Sequence, residues 1–332
     1  MDAPHYPFKP VYSLNALSLA LGEPIALLQS LAKRESNLYR HVPQKKKDGT
    51  VRDTYDAYEP LKRVQRKIVD RFLARVRYPD YLHGGIKDIS NRRSIYSNAR
   101  MHGKAKTILL QDIKDFFPSI TADHVHHIFS DCLGFSPEVS QLLAQLTTRN
   151  GVVPQGASTS SYLANLVFWD IEPSLVVRFR RQGLNYSRFA DDITISAARI
   201  LEPVVLTGLV AAVTGMLAEK ECYQKRSKLH VRKRGQTILA ASGYDPLTVT
   251  GLSVFNEVPA LPKAERKAIR AAVKDLEDLA HRGIAWNEIE PRLRTAMGRV
   301  GRLIACGHPD GERYRLRLKT IKQRYEVTPD HA

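Results

Sequence analysis

The chain is poor in sulfur, with three cysteines and four methionines in 332 residues. Cys132, Cys222 and Cys306 stand too far apart for a Cys-x-x-Cys metal site, and so odd and sparse a count suits a reducing cytosol. No apolar run approaches membrane-spanning length, so no membrane partner is expected. Met1 to Pro7 has neither a basic flank nor an apolar core, and no signal peptide is expected there. Acid is also in short supply. Against 34 Asp and Glu stand 51 Lys and Arg, a net charge of +17 that favours a polyanion and makes nucleic acid the first expectation. An anionic membrane, or solubility alone, would give the same sign. The length allows a sizeable core in two domains or one elaborated domain.

Against this basic background an adjacent acidic pair stands out. Tyr186 to Ser196 reads as two apolar, β-prone arms around Asp191 and Asp192, which predicts a hairpin with both carboxylates on its tight turn. Two anions so close repel each other, so the fold is expected to supply a counter-cation, and oxygen-only ligands suit Mg²⁺ or Mn²⁺. A lone Asp-Asp pair is more often a solvated turn. A second acidic stretch decides against that. Ile108, Leu109 and Leu110 run into Asp112, which predicts a buried strand delivering an acid to the lip of a sheet, then a turn and a helix opening near Thr121. Asp112 would complete a three-carboxylate cluster able to hold two divalent ions, the arrangement needed for in-line nucleotidyl transfer.

The remaining chain is organised around these stretches. Residues 12–34 read as helical with a break at Gly22-Glu23-Pro24, and residues 39–52 as two strands joined at an Asp48-Gly49 turn. Leu61, Val64, Ile68, Phe72, Leu73 and Val76 recur at helical spacing, with Lys62, Arg63, Arg66, Lys67, Arg71 and Arg75 on the other face, a candidate template contact. His124 and His127 fall at i, i+3, but no third ligand stands near. Helices are expected over 137–148, 159–180 and 201–217, and three basic ones over 263–282, 286–305 and 309–325. The last three read as a phosphate-binding unit.

Several of these residues carry a family resemblance. Phe189-Ala190-Asp191-Asp192 resembles the Tyr-Ala-Asp-Asp signature of reverse transcriptases, and Asp112 with Phe117 five residues on resembles that family's first catalytic motif. Between them Val153-Pro154-Gln155-Gly156-Ala157-Ser158 resembles the motif that floors its nucleotide and template pocket. Asn98-Ala99-Arg100-Met101-His102 and Val249-Thr250-Gly251 resemble elements of bacterial retron reverse transcriptases. There are departures: Phe189 replaces a Tyr, Ser158 and Ser161 stand where prolines are common, and Gln111 replaces a Leu.

The resemblance implies an α+β right-hand polymerase, with a palm sheet backed by helices and a helical thumb. Its segments would be a lead-in (1–38), fingers (39–106), palm (107–255) and thumb (256–332). It implies Asp112, Asp191 and Asp192 as catalytic metal ligands, joined by Ile113, with two Mg²⁺ or Mn²⁺ ions. Arg52, Asp115, Phe116, Phe117, Gln155, Gly156 and Lys228 would bind the dNTP, Phe117 screening the sugar and Lys228 protonating the leaving pyrophosphate. Asn98, Ala99, His102, Val249, Thr250 and Gly251 would contact RNA, with Asn98 and His102 in a shaped loop. The implied reaction is RNA-directed DNA synthesis in a bacterial cytoplasm. It would copy a cognate non-coding RNA of msr-msd type, from an internal 2′-hydroxyl, into branched msDNA, and serve phage defence with a separate effector protein. Two other readings share these motifs: another group II-like or diversity-generating reverse transcriptase, and a catalytically idle RNA-binding scaffold.

Overall fold

Leucine runs and helix breakers alternate near the N-terminus, and the structure breaks where they do. The computed structural model describes residues 3–46, 49–88, 92–235 and 247–327, so Asp48 of the expected turn and Asn91 lie outside the described residues. Ser13 caps helix α1 (Leu14–Leu21), and Pro24 leads into α2 (Ile25–Ala32). Strands β1 (Tyr39–His41), β2 (Gln44–Lys45), β3 (Val51–Arg52) and β4 (Tyr55–Ala57) follow, β1 pairing antiparallel with β4 and β2 with β3. The expected two-stranded hairpin is thus a longer one, interrupted midway. Helix α3 (Leu61–Arg71) is shorter than its apolar pattern, because Phe72 leaves helical geometry and Leu73–Arg75 form a 3₁₀ turn.

Next come β5 (Leu82–His83), α4 (Ile95–Arg100) and β6 (Thr107–Asp112). A short α5 (Phe116–Ser119) precedes α6 (Ala122–His127), which Thr121 caps as expected. His124 closes that capping box by accepting the Thr121 N–H, and His127 pairs with Asp131, so each histidine has a local partner. Helix α7 (Pro137–Thr147) has Ser136 as its cap. The single helix expected over 159–180 is two, α8 (Ser160–Leu166) and α9 (Glu172–Arg181), because residues 167–171 turn and Pro173 opens a new first turn. The chain continues through β7 (Asn185–Phe189), β8 (Asp192–Ala197), α10 (Pro203–Ala218), β9 (His230–Lys233), β10 (Thr248–Val249) and β11 (Leu252–Ser253). It ends in α11 (Lys263–His281), α12 (Trp286–Ala305) and α13 (Asp310–Val327).

Packing groups these elements into two compact units that cut across the four sequence segments. The first comprises Met1–Ser94, Leu109–Ile195 and Leu201–Val231. Leu17, Leu28 and Leu31 of α1 and α2, Leu61, Val64 and Ile68 of α3, and Leu143 and Leu146 of α7 are buried in a helical core. The main sheet has the order β5-β7-β8-β6-β9, which sets β6 beside β8. Ile108 and Leu109 are wholly buried, as a central strand requires.

The second unit comprises Ile95–Ile108, Ser196–Ile200 and Arg232–Ala332. Ile269, Val273, Leu276 and Ala280 of α11 meet Ile289, Leu293, Ala296, Val300 and Leu303 of α12 and Leu318 and Ile321 of α13, all at helical spacing. Arg292 with Asp275, Arg302 with Glu265 and Arg317 with Glu277 tie the three helices by their rims. Among the described residues, no single helix is long and apolar enough to cross a membrane.

Candidate active site

The end of β6 is anchored to the turn between β7 and β8 by one backbone bond, in which the Ile113 N–H donates to the Asp191 carbonyl at 2.9 Å. Ala190, the first turn residue, has φ 53°, a left-handed conformation that costs an alanine roughly 1 kcal/mol. Gly84 makes room for it: a Cβ there would come within 3.1 Å of the Ala190 nitrogen and of the Phe189 ring. Only Asp191 lies on the turn itself; Asp192 is the first residue of β8. This brings the expected acids together. The Asp112 and Asp192 carboxyls share a hydrogen bond, and Lys228 donates from Nζ to Asp112 Oδ2 at 2.5 Å.

The electrostatics follow from that crowding. Although Asp192 remains open to solvent, the protein around it strips part of its hydration, and Asp191 and Asp112 add their charges, which pushes its carboxyl up to about 6. Desolvation likewise raises Asp191, with Asp112 adding to it and Lys228 and Arg52 opposing. For Lys228, burial would lower the ammonium, but the bond to Asp112 and the charges of all three acids outweigh it and hold the group above its ordinary value.

These are the properties of a cation site. Asp191 and Asp192, both raised by burial and by the neighbouring Asp112 charge, join Asp112 in an all-oxygen donor set suited to a divalent ion, while Lys228 sets a positive charge on Asp112. With that lysine bond and the Asp112–Asp192 bond in place, no three His, Cys, Asp or Glu side chains among the described residues are arranged around a common metal position.

A cavity of about 300 Å³ opens over Asp112 and Asp191, and Asp192 is not in its lining. Arg52, Asp112, Ile113, Asp115, Phe116, Phe117, Gln155, Asp191 and Lys228 line it. The two phenylalanines differ in exposure. Phe116 is buried and stacks on Phe168, whereas Phe117 is half-exposed at the cavity wall. Asp115 takes a left-handed conformation, φ 43° and ψ 46°, that starts α5. Gly156 is not in the lining. A Cβ on it would meet the Tyr55 carbonyl at 3.0 Å, so the close approach it permits is to β4, where Tyr55 donates its N–H to the Gln155 carbonyl. Sequence reasoning missed Lys46, Asp53 and Lys225 in the lining. Lys46, the residue after β2, lines the cavity while remaining exposed.

The reverse transcriptase (RNA-dependent DNA polymerase) family model matches residues 44–251. The retron Se72 reverse transcriptase of Salmonella heidelberg is 32% identical over 327 residues, which cover 98% of this chain and 84% of that protein. The retron Ec48 reverse transcriptase of Escherichia coli is 32% identical over 325 residues, 94% of this chain and 77% of that one. The chain belongs to the retron reverse transcriptases. It is therefore an RNA-directed DNA polymerase with an RNA template as partner, of a family that uses divalent metal.

In this reverse transcriptase the two retron elements fold together inside the second unit. Helix α4, which carries Asn98 and Ala99, packs on the β10–β11 hairpin, and Thr250 Oγ1 donates to the Ile95 carbonyl at 2.9 Å. The expected RNA-contacting loop is thus a helix. Asn98, Ala99 and His102 are buried, His102 Nδ1 lying 2.8 Å from Ser196 Oγ, so their side chains shape the unit from within. Val249 is also buried, while Thr250 is half-exposed and Gly251 exposed on the turn. The basic face of α3 is largely occupied as well: Lys62 binds Asp56, Arg63 and Lys67 bind Glu23, and Arg66 binds Glu59.

Proposed function

We propose that the polymerase copies part of a cognate structured non-coding RNA into branched msDNA, starting from an RNA 2′-hydroxyl and using dNTPs with two Mg²⁺ ions. The observation that carries this reading is the contact of Asp112 with Asp192 and Lys228 beneath a cavity that Arg52, Phe117 and Gln155 line. Asp112, Asp191 and Asp192, with the Ile113 backbone, would hold the metal, which when bound makes the attacking hydroxyl more acidic and neutralises charge on the leaving pyrophosphate. Arg52 and Lys46 face the triphosphate, Phe117 stands against the sugar, and Gln155 meets the base or its template partner. Lys228, held protonated by its acidic neighbours, donates a proton to the departing pyrophosphate. Exposed Gly251 and half-exposed Thr250 meet the RNA, over the surface that Asn98, Ala99, His102 and Val249 support. The setting is the bacterial cytoplasm, with a separate effector protein serving phage defence.

Primer extension on an RNA template tests the core of this reading. Asp191→Asn is expected to lose more than about 100-fold in incorporation, beyond what loss of an outer-sphere partner costs, while RNA binding persists. Equal incorporation by wild type and variant would remove the mechanism and leave an RNA-binding scaffold.

A further inference from the structure

Among the described residues the most deeply buried charge belongs to Arg188, three residues before Asp191. Arg188, on β7, has a side chain with no exposure, and its partner Glu172, at the start of α9, is 1% exposed. An isolated charge there would be strongly unfavourable, and well-packed apolar residues often replace a buried pair without loss of stability. What distinguishes this pair is where its hydrogen bonds go. The guanidinium has five N–H donors, and five bonds are made. Nε donates to Glu172 Oε1 at 2.7 Å and one terminal nitrogen to Glu172 Oε2 at 2.8 Å. The other three go to backbone carbonyls: Ala164 at 3.0 Å, Asn165 at 3.0 Å and Ala190 at 3.3 Å.

Those acceptors belong to different parts of the site. Ala190 precedes Asp191 and holds the left-handed turn. Ala164 and Asn165 are the last-turn carbonyls of α8, the helix that follows the Gln155-Gly156 loop and has no intrahelical donors left for them. The guanidinium also lies 5.2 Å from the Phe168 ring and 5.8 Å from Phe116, beside the sugar-facing Phe117. Tyr186 donates to Glu172 Oε1 at 2.7 Å and completes the acceptor's environment.

We infer that Arg188, oriented by Glu172, is a positioning residue that holds the Asp191 turn in register with α8 and Phe116 without touching substrate. The inference rests on the polymerase reading, and Asp191→Asn separates the two: if wild type and that variant polymerise equally, the mechanism fails first. Arg188→Lys keeps the charge but has three donors and no planar fork, so it cannot reach α8 and the turn together. It is expected to fold, to bind template RNA as wild type does, and to leave the dNTP KM within about twofold. Turnover is expected to fall by roughly 10–100-fold, the scale of outer-sphere partners of a metal site. The Mg²⁺ concentration giving half of the Mg²⁺-induced rise in melting temperature, read without substrate, is expected to rise by a similar factor. Glu172→Gln, which releases the guanidinium from its orienting charge, should show the same signature, and Tyr186→Phe a weaker one. Wild-type turnover and Mg²⁺ response in a folded Arg188→Lys or Glu172→Gln protein would overturn the inference. So would failure of both variants to fold, which would assign the pair to stability alone.

Discussion

Asp192 carries a conflict between stability and chemistry that can be measured. Its carboxyl titrates at about 6 in the fold against an ordinary 3.8, so between those values the folded protein holds a proton that the unfolded chain has released. The stability from that proton is complete below 3.8 and is lost as pH rises through 6. Asp192→Asn removes the repelling charge at every pH. In EDTA at pH 7.5 the variant is therefore expected to be more stable than wild type, by on the order of 1 kcal/mol once solvent screening is allowed for. The advantage should vanish near pH 4, and polymerisation should be lost. Thermal melts at both pH values check this, and an Asn variant that is less stable at pH 7.5 would contradict the electrostatic account. Phe117 supplies a separate residue-level expectation. Half-exposed on the cavity wall, it is expected to exclude a ribose hydroxyl, and Phe117→Ala to raise ribonucleotide use by roughly 10-fold or more relative to dNTP. Competition between rNTP and dNTP on one template reads this directly, and an unchanged preference would retire the gate.

At the scale of elements, α11 separates cations that are free to meet phosphate from cations already engaged. Lys263, Lys267, Arg270 and Lys274 are exposed, stand at i, i+4, i+7 and i+11, and form no ion pair among the described residues. Arg294, Arg313, Arg315 and Lys322 of α12 and α13 each bind a carboxylate within their own helix. If the α11 stripe follows an RNA backbone, replacing its four cations by Gln should weaken RNA binding and flatten the log Kd against log salt slope by about 3, from roughly 0.7–0.9 per lost phosphate contact. Removing Arg313 and Arg315 should change the slope far less; equal effects from the two sets would disprove the assignment. The sequence could not make this distinction, because helical spacing shows which face a cation occupies and not whether an acid reaches it. Local signals were legible for the same reason that pairings were not. The strand delivering Asp112, the helix opening near Thr121, the Asp191 hairpin and the three C-terminal helices depend on neighbours within a few residues. The Arg188–Glu172 pair joins a strand to a helix across a turn, and in sequence Arg188 is one more polar residue beside Ser187 in a β-prone arm. The break between α8 and α9 was missed because Trp169 and Ile171 extend the apolar pattern through a turn.

For the whole molecule the charge balance is the governing quantity. A surplus of 17 positive charges favours a polyanionic partner, and the four α11 cations form no ion pair among the described residues. A surface of that sign should hold RNA through purification at low salt and release it as salt rises. Purified from its native host at about 100 mM salt, the wild-type protein is expected to carry one dominant RNA species joined covalently to DNA. The Asp191→Asn protein is expected to carry the same RNA without DNA. Sequencing the bound nucleic acid, with and without a debranching step, distinguishes the outcomes. A 2′-branched junction in the wild-type sample alone would tie the acids to synthesis and the RNA to priming in one experiment. A heterogeneous mixture of cellular RNA in both samples would mean that the charge serves non-specific binding, and the dedicated template would have to be abandoned.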